Sequence, residues 1–260
     1  MSTSAERLTQ AIRDAARGQR PALLAFFTAG YPDRSSFAAT LLGVARAADV
    51  VEIGVPFSDP MADGISIQRA SRAALAGGAS LAWILTELAS LREHTNTPFV
   101  LMSYLNPLLA FGIERLAARA AACGVTGFIV PDLSLEESTP LREAFDKAGL
   151  ALVQLVSPLT SDARLREICA ASRGFVYAVT TTGTTGRGDA LPSALPDYLA
   201  RVRRASSLPV CAGFGIRRAE QVRQLAPHTD GVVVGSALIE ALERGEDPAA
   251  FLRALARAAP

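Results

Sequence analysis

The stretch from residue 50 to residue 68, VVEIGVPFSDPMADGISIQ, joins a short apolar run to a loop that carries carboxylates. Its first six residues are apolar and mostly β-branched apart from Glu52 and Gly54, which is typical of a parallel strand covered on both faces. Because side chains alternate along a strand, Glu52 shares a face with Val50. In a barrel we therefore expect Glu52 to point inward, near the C-terminal end of the strand.

The residues after this strand predict a loop with a catalytic carboxylate. Two prolines and two glycines between residues 54 and 64 exclude both a continued strand and a long helix there. The loop carries Asp59 and Asp63. A glutamate at a strand end and an aspartate on the following loop make a candidate acid/base pair.

Outward from this stretch, apolar runs alternate with helical patterns along the whole chain. We predict strands at residues 22–30, 50–55, 98–107, 124–133, 150–158, 174–186, 208–216 and 230–238, the sixth running into a Gly/Thr loop. We predict helices at residues 4–18 (an N-terminal cap helix), 35–47, 67–76, 81–92, 113–122, 136–148 and 237–244. This alternation over 260 residues predicts an α/β protein, a (β/α)8 TIM barrel forming one domain over residues 1–260. The competing fold is a doubly wound open sheet, but the glycine-rich fingerprint of its dinucleotide-binding version is missing after the first strand.

Composition narrows the class of protein. A net charge of +1 without a basic run argues against nucleic-acid binding. No signal peptide or membrane-spanning run is visible, so we expect a cytoplasmic protein without a membrane partner. The three cysteines, which lack metal-ligand spacing, are predicted to be reduced core thiols: Cys123, Cys169 and Cys211.

Scarce residue types exclude several mechanisms. The only lysine, Lys147, precedes a helix-ending glycine and is predicted to lie on the surface instead of forming an imine. The two histidines, His94 and His228, sit in polar loops and match no metal pattern. We therefore predict neither a metal nor a cofactor.

Glycines after the seventh and eighth strands predict a phosphate site. Gly213 and Gly215 allow the backbone to approach an anion, and Gly235 opens a helix that Ser236 could cap. In TIM barrels a phosphate commonly binds at these two loops, where backbone N–H groups and a helix N-terminus converge. The substrate is then a small phosphorylated molecule. If the enzyme cleaves a carbon–carbon bond, the electron sink must lie inside the substrate, because the chain offers neither an imine lysine nor a metal.

Residues 51–68, VEIGVPFSDPMADGISIQ, resemble the signature of the tryptophan synthase alpha subunit family. Further motifs resemble that family in the same order along nearly the whole chain: FFTAGYP, LMSYLNP, VPDLSLEES, GFVYAVTTTGTTG, AGFGI and DGVVVGSA. The resemblance implies cleavage of indole-3-glycerol phosphate to indole and glyceraldehyde 3-phosphate, with the indole ring as the electron sink. It also implies a beta-subunit partner in an alpha2beta2 heterotetramer.

The resemblance also assigns roles to individual residues. Glu52 would be the general acid/base, and the carboxylate of Asp63 would accept a hydrogen bond from the N–H of the indole ring. The remaining substrate-binding positions would be Phe26, Tyr104, Tyr177 and Phe214 at the ring and Thr185, Gly186, Gly215, Gly235 and Ser236 at the closing loop and phosphate. Pro56 and Asp59 match positions that meet the beta subunit.

Other functions stay open on the residues alone. A stand-alone indole-releasing lyase would share both carboxylates, and a sugar-phosphate isomerase would share the phosphate end. A catalytically silent binding subunit would tolerate the loss of a carboxylate, and both are present here. The chain departs from the family pattern at Ile65 and Ser134, where proline is usual or common, and its loop reads TTTGTTG without an arginine often seen in that stretch.

Overall fold

Eight parallel strands close into a barrel in chain order, with β8 paired to β1. The computed structural model describes residues 2–18, 20–180, 191–213 and 215–256. The strands are β1 Ala22–Thr28, β2 Val50–Gly54, β3 Phe99–Met102, β4 Val125–Ile129, β5 Ala151–Val156, β6 Val176–Val179, β7 Val210–Gly213 and β8 Gly231–Val234. The predicted (β/α)8 fold is confirmed.

Helices surround the barrel and occupy most of the connections between strands. They are α1 Ser4–Arg17, α2 Phe37–Ala45, α3 Ile65–Ala76, α4 Leu81–Leu91, α5 Leu105–Phe111, α6 Ile113–Ala122, α7 Thr139–Lys147, α8 Asp162–Ala171, α9 Leu195–Ala205, α10 Ala219–Leu225, α11 Ser236–Glu243 and α12 Pro248–Ala256. Most of them pack an apolar face around the outside of the barrel, as this fold requires.

Alternation along the strands divides the core into two layers. Val51 and Ile53 of β2 pack outward against the helices, whereas Val50 packs inside the barrel. Glu52 therefore lies on the inner face, opposite Phe26 of β1 in the strand register. This confirms the predicted inward direction of Glu52.

The N-terminal helix covers one end of the barrel. Leu8 and Ile12 of α1 are fully buried and belong to the same cluster as the inner-barrel residues Leu24 and Phe175. A capping box between Thr3 and Glu6, the third residue of α1, fixes the start of the helix. The predicted cap helix is thus present, and it fills the end opposite the loops that follow the strands.

Several sequence predictions need correction: β4 and β8 end earlier than expected, at Ile129 and Val234, and the sequence analysis missed the helices α5, α8, α9, α10 and α12. The third strand was expected to run to residue 107, but it ends at Met102 and α5 follows. The carboxylate of Asp132 accepts a hydrogen bond from the backbone N–H of Leu105, with an N–O distance of 2.9 Å, and so stabilises the start of α5. Ser236 was expected to cap α11, but it is the first residue of the helix and Gly235 holds the cap position.

The predictions for the three cysteines and for the lysine hold. Cys123, Cys169 and Cys211 are buried free thiols, and Lys147 is exposed at the last position of α7. No group of three or more potential metal ligands occurs among the described residues. No single described helix is long and apolar enough to span a bilayer. Among the described helices, the pair α3 and α4 reaches that length and hydrophobicity only when taken together, and the two helices are bent by 89° relative to each other.

Candidate active site

A cleft with about 550 Å³ of empty space opens at the C-terminal ends of the strands. This location is where TIM-barrel enzymes place their active sites. The cleft is lined by Phe26, Glu52, Asp63, Ile67, Met102, Tyr177, Gly215, Ile216, Arg217, Val233, Gly235 and Ser236. Two carboxyl groups therefore share one cleft with the glycines predicted to bind phosphate.

Glu52 is the most buried acidic group of the cleft. Its side chain is 0% exposed, and neither carboxylate oxygen has a hydrogen-bond partner among the described residues. Burial disfavours the charged form and raises the pKa of Glu52 from its ordinary 4.5 to about 8. At neutral pH this carboxyl group therefore carries a proton that it can donate.

Asp63 lies on the loop between β2 and α3 and is held there by Tyr104. The Tyr104 hydroxyl donates to Asp63 Oδ2 at 3.2 Å and accepts from the backbone N–H of Ala62 at 2.9 Å. The tyrosine ring stacks on Phe57 with its centroid 5.1 Å away. Burial raises the pKa of Asp63 to about 6, against the lowering effect of the Tyr104 hydrogen bond. At neutral pH Asp63 is thus mostly a carboxylate, the opposite state to that of Glu52.

Two aromatic rings lie directly over strand glycines. A Cβ atom at Gly54 would come within 2.6 Å of Phe26 Cζ, and one at Gly213 would collide with the hydroxyl and ring of Tyr177. Only glycine leaves room for these rings at the cleft floor. Burial, and next the charge of Glu52, raise the pKa of Tyr177 well above its ordinary value, so its hydroxyl stays protonated.

The other end of the cleft presents backbone N–H groups. Gly215 has a φ of +86°, a left-handed conformation that favours glycine. Gly235 lies against the Phe26 ring, where a Cβ atom would be 3.2 Å from Cδ1. The helix α11 starts at Ser236, and its first backbone hydrogen bonds run from the N–H groups of Leu238 and Ile239 to the carbonyl of Gly235, so the N–H groups of Ser236 and Ala237 precede them. This end can therefore bind an anion, helped by the helix dipole.

The structure brings seven of the predicted site residues into the cleft and places three others, Tyr104, Pro56 and Asp59, near it. Tyr104 lies in an adjoining recess behind Asp63. Asp59 is exposed on the same loop, whereas Pro56 is buried. Thr185, Gly186 and Phe214 lie outside the described residues.

Sequence reasoning missed five residues that line the cleft. They are Ile67, Met102, Ile216, Arg217 and Val233. Strand alternation could have identified two of them, because Met102 and Val233 follow the inward-facing positions of β3 and β8. No such pattern pointed to Arg217, because the orientation of its side chain depends on its ion pair with Glu240.

The fold and the cleft together define a class of protein. A (β/α)8 barrel with two carboxyl groups of raised pKa and an anion-binding end in one cleft is a barrel enzyme suited to proton transfer on a small anionic substrate.

Comparison with known proteins identifies the family within this class. The sequence profile of the family "Tryptophan synthase alpha chain" matches residues 12–258. The chain is 45% identical to a tryptophan synthase alpha chain of Nitratidesulfovibrio vulgaris, over 97% of this chain and 99% of that one. It is 40% identical to that of Geobacter sulfurreducens, over 97% and 98% of the two chains. A solved Mycobacterium tuberculosis tryptophan synthase superposes with a TM-score of 0.91 at 36% identity, covering 100% of this chain and 99% of that one.

The chain belongs to the tryptophan synthase alpha chain family. This assignment confirms the predicted lyase activity, the cleavage of indole-3-glycerol phosphate to indole and glyceraldehyde 3-phosphate in tryptophan biosynthesis. The sugar-phosphate isomerase and the doubly wound sheet are set aside.

Proposed function

We propose that Glu52 moves the proton on which the cleavage depends. Its carboxyl group, protonated at neutral pH because it is buried, donates a proton to the ring carbon that bears the glycerol chain. The resulting Glu52 carboxylate then takes the proton of the adjacent glycerol hydroxyl. The carbon–carbon bond breaks, its electron pair returns to the indole ring, and the hydroxyl carbon becomes the aldehyde of glyceraldehyde 3-phosphate. Glu52 finishes the cycle in its starting protonation state.

Asp63 stabilises the cationic ring formed in the first step. A mostly ionised carboxylate that accepts from the ring N–H lowers the energy of the positive charge that develops there. The Tyr104 hydroxyl holds one carboxylate oxygen and thereby leaves the other for the ring. The two carboxyl groups thus need different environments, one fully enclosed and one hydrogen-bonded at the edge of the cleft.

Substrate binding divides between the two ends of the cleft. Phe26, Tyr104 and Tyr177 would enclose the indole ring, and Gly215, Gly235 and Ser236 would bind the phosphate through backbone N–H groups. The resemblance adds Phe214 at the ring, Gly186 at the phosphate and Thr185 as a residue that closes over Asp63.

The loop from Pro56 to Asp63 is the proposed contact with a beta subunit. Besides the exposed Asp59, it and the start of α3 expose two large apolar side chains, Met61 at 87% and Ile65 at 81%. Exposed apolar groups of this kind suit a protein–protein contact. The buried Pro56 would act on the contact through the shape of the loop. We propose an alpha2beta2 complex in the cytoplasm, with residues 1–260 forming one domain.

The observation that carries this proposal is the fully buried Glu52, whose carboxylate has no hydrogen-bond partner among the described residues, in the same cleft as Asp63. The test is indole release from indole-3-glycerol phosphate by the purified chain, with a beta subunit titrated in. Equal amounts of indole and glyceraldehyde 3-phosphate, formed faster with the beta subunit, support the proposal. If the lone chain is already fast and the beta subunit changes nothing, the chain is a stand-alone lyase.

A further inference from the structure

Arg217 is the one basic residue among the described residues that line the cleft. It lies two positions after Gly215, in the loop between β7 and α10, and shares the cleft wall with Gly235 and Ser236. These neighbours carry no formal charge, whereas a phosphate monoester carries a charge of about −1.5 to −2 at pH 7. A cation at this end would therefore balance charge that the backbone N–H groups alone do not balance.

An ion pair fixes the position of the Arg217 guanidinium. Arg217 Nη2 donates to Glu240 Oε2 of α11. Glu240 lies four residues after Ser236, hence on the same face of the helix and about 6 Å further along its axis. The guanidinium is thus held by a residue that lies about one helical turn after the first residue of α11. Ser66 Oγ of α3 donates to the other oxygen of Glu240 at 3.1 Å and fixes that carboxylate from a second helix.

The backbone of the same loop is fixed independently. The side-chain oxygen of Gln221 accepts from the backbone N–H groups of Arg217 at 2.8 Å and Arg218 at 3.0 Å. Its side-chain nitrogen donates to the carbonyl of Gly215 at 3.3 Å. Gln221 is 5% exposed, so these bonds are shielded from water. The loop that carries Arg217 is therefore pre-organised before a ligand arrives.

We propose that Arg217 is a phosphate-binding residue of this enzyme. A guanidinium has five N–H donors, so Arg217 can remain paired with Glu240 and donate from its other N–H groups to phosphate oxygens. This inference rests on the proposed function, because it takes the phosphate of that substrate as the ligand. It adds a charge-based contact to a site otherwise built from backbone N–H groups and a helix N-terminus.

A purely structural role for the ion pair makes a different prediction. The Arg217 and Glu240 side chains are 38% and 25% exposed, and ion pairs so open to water contribute little to stability. Arg217→Gln should therefore fold as the wild type does. Its effect should appear in the binding of phosphate-bearing ligands only.

The test is calorimetric binding of three probes to the full chain: glyceraldehyde 3-phosphate, inorganic phosphate and indole. For Arg217→Gln we expect the two phosphate probes to bind about tenfold to hundredfold more weakly, as the loss of a charge-assisted hydrogen bond implies. Indole, which has no phosphate, should bind as before. Arg217→Lys should recover part of the loss, because it restores the charge without the forked geometry.

Arg223→Gln is the matched control, since Arg223 pairs with Glu220 on the surface of α10 and does not line the cleft. It should bind all three probes like the wild type. Phosphate binding by Arg217→Gln within twofold of the wild type would overturn the proposal, as would an equal loss of phosphate and indole. If instead the wild type binds phosphate but releases no indole, the proposed function fails while Arg217 keeps its role.

Discussion

Glu52→Gln should separate the catalytic use of the buried carboxyl group from its cost to stability. Glutamine has nearly the same size and shape but cannot ionise, so the fold of the barrel should be kept. General acid/base groups contribute about 10²- to 10⁴-fold to rate, and kcat for indole release should fall by that factor. A variant that retains more than about a tenth of the wild-type kcat would remove Glu52 from this role.

The same variant should change how stability depends on pH. The unfolded chain ionises Glu52 near its ordinary pKa of 4.5, whereas the folded chain keeps it protonated until about pH 8. Because the folded state holds this proton more tightly, the stabilisation is present at low pH and is lost as the pH rises through the folded pKa. At about 1.4 kcal/mol for each pH unit, the wild type should lose about 3 to 4 kcal/mol between pH 5 and pH 8 through this group.

Urea titrations of both proteins at several values from pH 5 to pH 8 measure this difference. The free energy of unfolding of Glu52→Gln minus that of the wild type should increase by about 3 kcal/mol from pH 5 to pH 8, because only the wild type loses stability over this range. Glu93→Gln, which makes the same change of atoms at an exposed position, serves as the control and should leave the wild-type pH dependence unchanged. Parallel curves for Glu52→Gln and the wild type, within about 1 kcal/mol, would refute the assignment of a raised pKa to Glu52.

The pH profile of kcat/KM should rise through about pH 6 as Asp63 ionises and fall through about pH 8 as Glu52 loses its proton; stopped indole assays at constant ionic strength measure it, and activity that stays flat above pH 9 would contradict it. Tyr104→Phe should lower kcat and move the acid limb of the profile to higher pH. The Tyr104 hydrogen bond lowers the pKa of Asp63 in the wild type, so its removal should raise that pKa; an unmoved acid limb would count against this coupling. Gly235→Asp should weaken glyceraldehyde 3-phosphate binding at least tenfold by placing a like charge beside the N–H donors, as calorimetry can show; unchanged affinity would remove Gly235 from the phosphate site. Asp59→Ala should abolish the rate gain that a beta subunit gives the wild type, a gain of about fivefold to 150-fold for a typical coupling; an equal gain in both proteins would exclude Asp59 as a contact.

Local patterns were enough to predict the barrel and the direction of Glu52. Strand alternation depends only on neighbours in the sequence, so the side of β2 that faces inward could be read from five residues. The identity of the loop residues followed from the resemblance to a family. What could not be predicted were contacts between side chains far apart in the chain, such as Tyr104 with Asp63, 41 residues away.

The corrections at the starts of α5 and α11 both involve residues that lie far away in the sequence. The start of α5 depends on a carboxylate 27 residues further along, and the cap of α11 falls on a glycine that lies against a ring of β1. Neither partner is visible in the local sequence. Arg217 was missed for this reason too, because its place in the cleft follows from Glu240, 23 residues later.

The positions of the two carboxyl groups explain how a partner can change the rate of cleavage without changing the pKa of Glu52. Glu52 belongs to a strand whose neighbours on both sides are hydrogen-bonded into a closed barrel, so its burial, and hence its pKa, is fixed by the fold. Asp63 belongs to a loop held by one tyrosine hydroxyl and one glutamine amide. A beta subunit that grips the exposed side of this loop can therefore shift Asp63 relative to the ring N–H while the proton on Glu52 stays where it is. We therefore expect partner binding to raise kcat and to shift the acid limb of the pH profile, which reports Asp63. The basic limb near pH 8, which reports Glu52, should stay where it is.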